Sequence, residues 1–327
     1  MNIAILGAGA WGSALAISLS DAHAIALWSR REEDCDSLRR SRTSRYLAEV
    51  PIPASVTIES DFARAVDGRD LIIVATATAG LRETLRAVAA FTSHPPVVWA
   101  CKGFETASGL LPHQVVAEEM PRATSVAALS GPSFALEVAR GQPTAIVLAS
   151  REGPFAARAA AALNSARLRI YSNDDVTGVE LGGALKNVVA IAAGISDGLA
   201  LGRNARAALV TRGLAEISRL GAAMGGRPET FNGLTGLGDL VLTCTGDLSR
   251  NREVGVSLAR GKSLDEALGG LGHVAEGVHS ARAARSHARA LGIEMPITEA
   301  VCAVLFEGRA APEAVKQLLT RDPRSER

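Results

Sequence analysis

The run Gly7-Ala8-Gly9-Ala10-Trp11-Gly12 narrows the possible folds more than any other part of the chain. It stands directly behind the β-rich run Ile3-Ala4-Ile5-Leu6 and opens a helical pattern carrying Leu15, Ala16 and Leu19, with another β-rich run at 24–28. In a strand–turn–helix context Gly7, Gly9 and Gly12 permit a tight turn, close approach of backbone to a pyrophosphate, and helix packing. The first turn of the helix adds unpaired N–H groups for the anion. These features predict a dinucleotide-binding unit. Trp11, at the mouth of the turn, reads either as a cofactor contact or as a packing residue.

The end of the second run separates two cofactors. An acidic residue about 20 positions beyond the glycines would accept from an adenosine ribose and repel a 2′-phosphate. Here the run ends Trp28-Ser29-Arg30-Arg31, so cations stand where the carboxylate would be. NADP is favoured, with Arg30 and Arg31 as its contacts. Glu32, Glu33 and Asp34 just beyond keep NAD open.

Further β-rich runs at 71–75, 97–100 and 125–129 alternate with Ala/Leu-rich helical patterns, and those at 144–149 and 168–171 would add outer strands. This alternation predicts a parallel sheet covered on both faces. Past Asp175 the strand signals stop. The expected architecture is α/β, a Rossmann-like doubly wound sheet domain over 1–175, followed by an all-α domain over 176–327 that binds substrate. Breaks are expected at 225–226, 233–238, 269–272 and Pro296, and fraying at 321–327. The uncharged N-terminal stretch lacks a basic flank and is interrupted by its glycines, so it reads as strand and helix rather than a signal peptide. The apolar run 181–195 is broken by Lys186, short of the roughly 20 residues a membrane span requires.

With 35 basic against 34 acidic residues the net charge is +1, which excludes a general polyanion binder and gives no sign of nucleic-acid partners. Four cysteines, Cys35, Cys101, Cys244 and Cys302, are scattered, and the six histidines form no H-x-x-x-H pair. No metal site is expected, and a reduced, cytoplasmic setting fits.

The chain has only four lysines, Lys102, Lys186, Lys262 and Lys316, so each position is informative. Lys102, in Cys101-Lys102-Gly103, follows a strand where open α/β sheets bind ligands. Ser130-Gly131-Pro132-Ser133-Phe134-Ala135 follows another strand, and Ser130 or Ser133 looks like an N-cap. Lys186 lies within Leu181-Gly182-Gly183-Ala184-Leu185-Lys186-Asn187-Val188. Desolvation there would bring an ammonium's titration closer to neutrality, which suits acid–base work. A buried lysine needs an acceptor, and Asp239, in a Gly-rich turn, is the best candidate. Ser249-Arg250-Asn251 offers hydroxyl, guanidinium and amide, a set suited to phosphate oxygens.

Together these residues resemble the NAD(P)-dependent glycerol-3-phosphate dehydrogenases of bacterial type. The resemblance rests on G-A-G-A-W-G-S-A-L-A at 7–16, C-K-G-F-E at 101–105, S-G-P-S-F-A at 130–135, L-K-N at 185–187 and D-G-L-x-x-G-x-N-x-x-A-A-L-x-T-R-G at 197–213. It continues with G-L-G-D-L-V-L-T-C-T at 236–245, S-R-N at 249–251 and V-A-E-G at 274–277. Ala10 and Cys101 depart from the pattern, the first with the loss of one hydroxyl contact to the cofactor. The resemblance implies Lys186 as the catalytic acid/base, with Lys102, Gly131, Ser133, Asp239, Ser249, Arg250 and Asn251 around the substrate. Asn187 and Thr243 would be further pocket residues. Trp11, Arg30, Arg31, Lys102, Ala135, Arg250, Val274 and Glu276 would contact NADP or NAD. It also implies an active site between the two domains, a homodimer with no membrane insertion, and a product that feeds glycerophospholipid synthesis. Rival readings are another 3-hydroxyacid or 6-phosphogluconate dehydrogenase type, and a nucleotide sensor without turnover.

Overall fold

The computed structural model describes residues 1–91, 95–269 and 275–320. The expected cofactor contact Val274 and the tail 321–327 lie outside the described residues. The chain divides into two compact units, Met1–Glu180 and Leu181–Arg327.

Among the described residues the first unit is built on one sheet of eight strands: β1 (Asn2–Leu6), β2 (Ala24–Trp28), β3 (Thr57–Glu59), β4 (Leu71–Val74), β5 (Val97–Trp99), β6 (Val126–Ser130), β7 (Thr144–Ala149) and β8 (Leu168–Asn173). Their order is β3-β2-β1-β4-β5-β6-β7-β8. Ile3, Ile5, Leu6, Ile72, Ile73 and Val74 are fully buried, as expected of central strands covered on both faces. All neighbours run parallel except β6 and β7, which pair antiparallel. The expected all-parallel sheet is corrected there, and β3, a three-residue edge strand, is an addition.

Among the described residues seven α-helices accompany the sheet: α1 (Ala10–Leu19), α2 (Glu32–Ser41), α3 (Phe62–Val66), α4 (Leu81–Ala89), α5 (Pro112–Glu119), α6 (Ala135–Ala139) and α7 (Gly153–Leu163). Because β1 lies between β2 and β4, the connections leaving β1 and β4 diverge. A crevice at their carboxyl ends is where doubly wound sheets take ligands.

Helix α8 (Val176–Gly198) begins the helical part of the chain. It is followed by α9 (Arg203–Ala223), α10 (Pro228–Phe231), α11 (Asp239–Thr245), α12 (Arg250–Ala259), α13 (Leu264–Gly269), α14 (Glu276–Ala290), α15 (Pro296–Phe306) and α16 (Ala311–Leu319). At 23 residues α8 extends beyond the apolar run read from the sequence and is long and apolar enough to cross a membrane. Its apolar window is wholly buried inside the protein, as in the core helix of a soluble fold. Val188, Ile191 and Ile195 pack with Val254 and Leu258 of α12 and Val278 of α14. The close crossing of α8 and α12 depends on Gly194 and Gly255, since a Cβ on either would collide with backbone of the other helix.

Candidate active site

The glycine turn after β1 is shaped by three different constraints. Gly7 has φ +119°, and a Cβ there would press 2.9 Å from the Ala75 carbonyl carbon and oxygen. A Cβ on Gly12 would strike the Gly7 carbonyl oxygen. Gly9 is the opposite case, because a Cβ there meets nothing within 4 Å. Gly9 is also the N-cap of α1 and offers no side-chain acceptor, so first-turn N–H groups depend on another partner. Open space in front of bare backbone donors is what a pyrophosphate requires.

Three orphaned polar atoms lie at or beyond the carboxyl ends of strands of the same sheet. Trp11 Nε1, Thr76 Oγ1 and Ser130 Oγ are buried without a hydrogen-bond partner. Buried polar groups are normally paired, and such exceptions call for an explanation. The Trp11 ring packs against the core, one of the two roles read from the sequence, while its N–H is unmatched. These residues fit a bound dinucleotide.

Lys102, Gly131 and Ser133 come together as the sequence reading grouped them. Lys102 Nζ donates to the Gly131 carbonyl at 2.8 Å, and Ser133 Oγ donates to the same oxygen at 3.0 Å. Neither Ser130 nor Ser133 caps a helix. The N-cap of α6 is Phe134, without a side-chain bond, because Ser133 turns back to Gly131. Ala135 opens α6.

Arg30 and Arg31 leave the end of β2 in different pairings. Arg30 pairs with Glu83 at 3.1 Å, with side chains 73% and 74% exposed. Arg31 is the N-cap residue of α2 and makes two bonds to the Asp34 carboxylate, each 2.9 Å. Exposed pairs of this kind are weak and screened by water, so they do not commit either guanidinium against a phosphate.

In the second unit Lys186 lies buried on α8. Gly182, one helical turn earlier, lets the helix lie against the turn before Asp239, since a Cβ there would sit 2.5 Å from the Thr235 carbonyl oxygen. That turn, Leu234–Gly238, is a wide π-type turn whose Gly238 N–H donates to Gly233 at 3.1 Å. Such turns are frequent at functional sites. It delivers Asp239, 1% exposed, to Lys186, and the two form a short ion pair. Lys186 Nζ also donates to Thr243 Oγ1 at 3.0 Å. Asp239 is the acceptor that a buried lysine needs. Burial pushes the neighbouring Cys244 up to about 12, which keeps it a thiol.

Ser249, Arg250 and Asn251 form the amino end of α12. Ser249 is the N-cap, accepting from the Arg252 N–H at 3.3 Å. Arg250 opens the helix, where desolvation lowers its pKa more than Glu276 raises it. Asn251 bridges, donating to Asn187 Oδ1 at 3.0 Å and accepting from the Gly277 N–H at 3.0 Å. Arg252, not singled out in the sequence, binds Asp197 at 2.7 Å and steadies the same helix end. Among the described residues no group of three or more His, Cys, Asp or Glu side chains could hold a metal.

A sheet unit with an open glycine turn, and an all-helical unit with a buried lysine–carboxylate pair, define a nicotinamide-dependent dehydrogenase. Residues 2–156 match the family described as NAD-dependent glycerol-3-phosphate dehydrogenase N-terminus, and 175–316 match the corresponding C-terminus. The chain belongs to this NAD-dependent glycerol-3-phosphate dehydrogenase family. It is 56% identical over 327 residues to the glycerol-3-phosphate dehydrogenase [NAD(P)+] of Thiobacillus denitrificans, covering 100% of both chains. The enzyme of that name from Nitrosospira multiformis is 55% identical over 331 residues, covering 100% of this chain and 99% of the relative. The crystal structure of glycerol-3-phosphate dehydrogenase from Coxiella burnetii superposes with a TM-score of 0.94 at 40% identity, covering 98% of this chain and 99% of that one.

Proposed function

We propose that the protein catalyses the reversible reduction of dihydroxyacetone phosphate to sn-glycerol 3-phosphate, with NADPH preferred to NADH. The observation that carries this reading is Lys186 held between the Asp239 carboxylate and the Thr243 hydroxyl. When bound, the reduced nicotinamide supplies the hydride. As negative charge grows on the ketone oxygen, Lys186 gives up a proton from its ammonium, and it takes one back in the oxidative direction. Asp239 keeps the ammonium charged before the step and aims it. Thr243 fixes a second direction of the same group.

Lys102 assists electrostatically from the end of β5, beside Gly131 and Ser133. The substrate phosphate goes to the amino end of α12, where first-turn N–H groups and Arg250 supply donors. Ser249 and Asn251 line that end and hold its geometry. Gly7, Gly9, Gly12, Trp11 and Ala135 belong to the dinucleotide site, with Arg30 and Arg31 reading the 2′-phosphate and Lys102, Arg250 and Glu276 contributing. The same reading gives a cytoplasmic homodimer whose product enters glycerophospholipid synthesis.

The test is an initial-rate assay with dihydroxyacetone phosphate and each cofactor, run beside a panel of 2-oxo and 3-oxo acids. Turnover restricted to the triose phosphate is expected. Turnover of an oxo acid in its place would sink the assignment.

A further inference from the structure

Glu180 is a carboxylate inside the apolar α8, with its side chain only 3% exposed. A charge in that position is costly unless its oxygens are satisfied. Its Oε1 accepts from Trp99 Nε1 at 2.7 Å and from the His113 backbone N–H at 2.8 Å. Its Oε2 lies 2.5 Å from His113 Nδ1, within hydrogen-bond distance of the ring.

The two partners of this carboxylate bracket one loop. Trp99 is the last residue of β5, and His113 is the second residue of α5. Between them, the segment 100–111 carries Lys102. Farther along, Glu105 is held by two bonds from Arg82, at 2.8 and 2.7 Å, and one from Ser108 at 2.5 Å. The loop therefore leaves and rejoins the fold at points fixed by Glu180, with Glu105 anchoring its middle.

We propose that Glu180 is a positioning residue for Lys102. By fixing Trp99 and His113 at once, it sets the path of the backbone from which Lys102 extends. The inference rests on the reading that Lys102 acts on the bound substrate or nicotinamide. Misplacement of such a group by about 1 Å can cost on the order of 100-fold in rate. The effect of removing Glu180 should therefore travel through Lys102.

The experiment is a double-mutant cycle in the full-length enzyme, with Lys102→Ala, Glu180→Ala and both together. kcat and KM for dihydroxyacetone phosphate are measured at saturating NADPH, and thermal unfolding is followed in parallel. Glu180→Ala is expected to lower kcat/KM by roughly 10- to 100-fold. In the Lys102→Ala background it should cost less than about twofold more. Glu180→Gln keeps an oxygen for Trp99 and the His113 N–H and should recover most of the loss. Should Glu180→Ala not fold, Glu180→Gln carries the cycle, with its smaller loss again absent from the Lys102→Ala background. Wild-type kcat/KM in Lys102→Ala would overturn the reading of Lys102 itself. An impaired Lys102→Ala with fully additive losses would leave that reading standing and overturn the role given to Glu180.

Discussion

Lys186 donates to the Thr243 hydroxyl at 3.0 Å, and that hydroxyl receives the bond through a lone pair, because its own proton goes to the Asp239 carbonyl oxygen at 2.6 Å. Thr243 thus acts as a fixed acceptor for the ammonium. Lys186→Ala is expected to lower kcat by at least about 100-fold while NADPH still binds. Thr243→Val, close in shape but without the acceptor, should lower kcat by about 10-fold, the scale of one hydrogen bond to a charged group. Steady-state kinetics with a separate cofactor titration would check both, and near-normal turnover in Lys186→Ala would refute its role.

Asp239 should behave differently from Thr243. Asp239→Asn leaves a buried ammonium without its counter-charge, a change that costs about 3–5 kcal/mol in comparable pairs. Both stability and turnover should therefore fall, and denaturant melts will show it. A variant with wild-type stability would mean that the pair is solvated in solution.

The glycine turn allows a sharper separation of folding from binding. Gly9→Ala meets no protein atom, so its melting temperature should stay near wild type while NADPH affinity drops by about 10-fold or more, since a methyl group occupies space meant for the pyrophosphate. Gly12→Ala, facing the Gly7 carbonyl, should lose both. Calorimetric titration beside thermal melts would decide, and unaltered NADPH binding by Gly9→Ala would remove the turn from the cofactor site.

Cofactor preference should rest on the exposed cations. Arg30→Ala with Arg31→Ala is expected to weaken NADPH far more than NADH, because only NADPH carries the 2′-phosphate. Glu83→Gln, which releases Arg30 from a weak surface pair, should tighten NADPH by no more than a few-fold. Equal losses for the two cofactors would reverse the assignment.

Glu216 gives the protein a pH-dependent stability separate from catalysis. The carboxylate, 3% exposed, accepts from the Ile297 and Thr298 N–H groups at 2.6 and 3.2 Å at the start of α15, yet burial pushes its pKa from 4.5 up to about 7. A raised carboxyl pKa favours the protonated folded state, so its contribution is complete below about pH 4.5 and is lost as pH rises through 7. That interval corresponds to about 3 kcal/mol. Denaturation of Glu216→Gln between pH 4.5 and 8 should show the variant gaining on wild type as pH rises. Parallel curves would exclude the effect.

The sheet was legible because its central strands are continuous apolar runs, but β3 was not. Thr57-Ile58-Glu59 has one buried residue and no run, and its pairing to β2 depends on partners far along the chain. The antiparallel turn of β7 was equally hidden, since alternation of strand and helix carries no direction. In the site, Lys186 declared itself as a lone cation in an apolar helix, and Asp239 followed from its need for a partner. Glu180, six residues earlier on α8, gives the same signal with the opposite charge and could have been found by the same reasoning. Asn251 joining Asn187 to Gly277 was beyond reach, because that bridge exists only after three helices have met.

Because α8 is buried throughout its apolar window, the helices of the second unit that pack on it come from chain made later. On the ribosome, this greasy segment emerges before α12, α14 and α15 exist to receive it. Chains cut short before those helices would leave it without a berth and expose it to aggregation, so completion of synthesis, rather than local helix formation, sets when the second unit becomes safe.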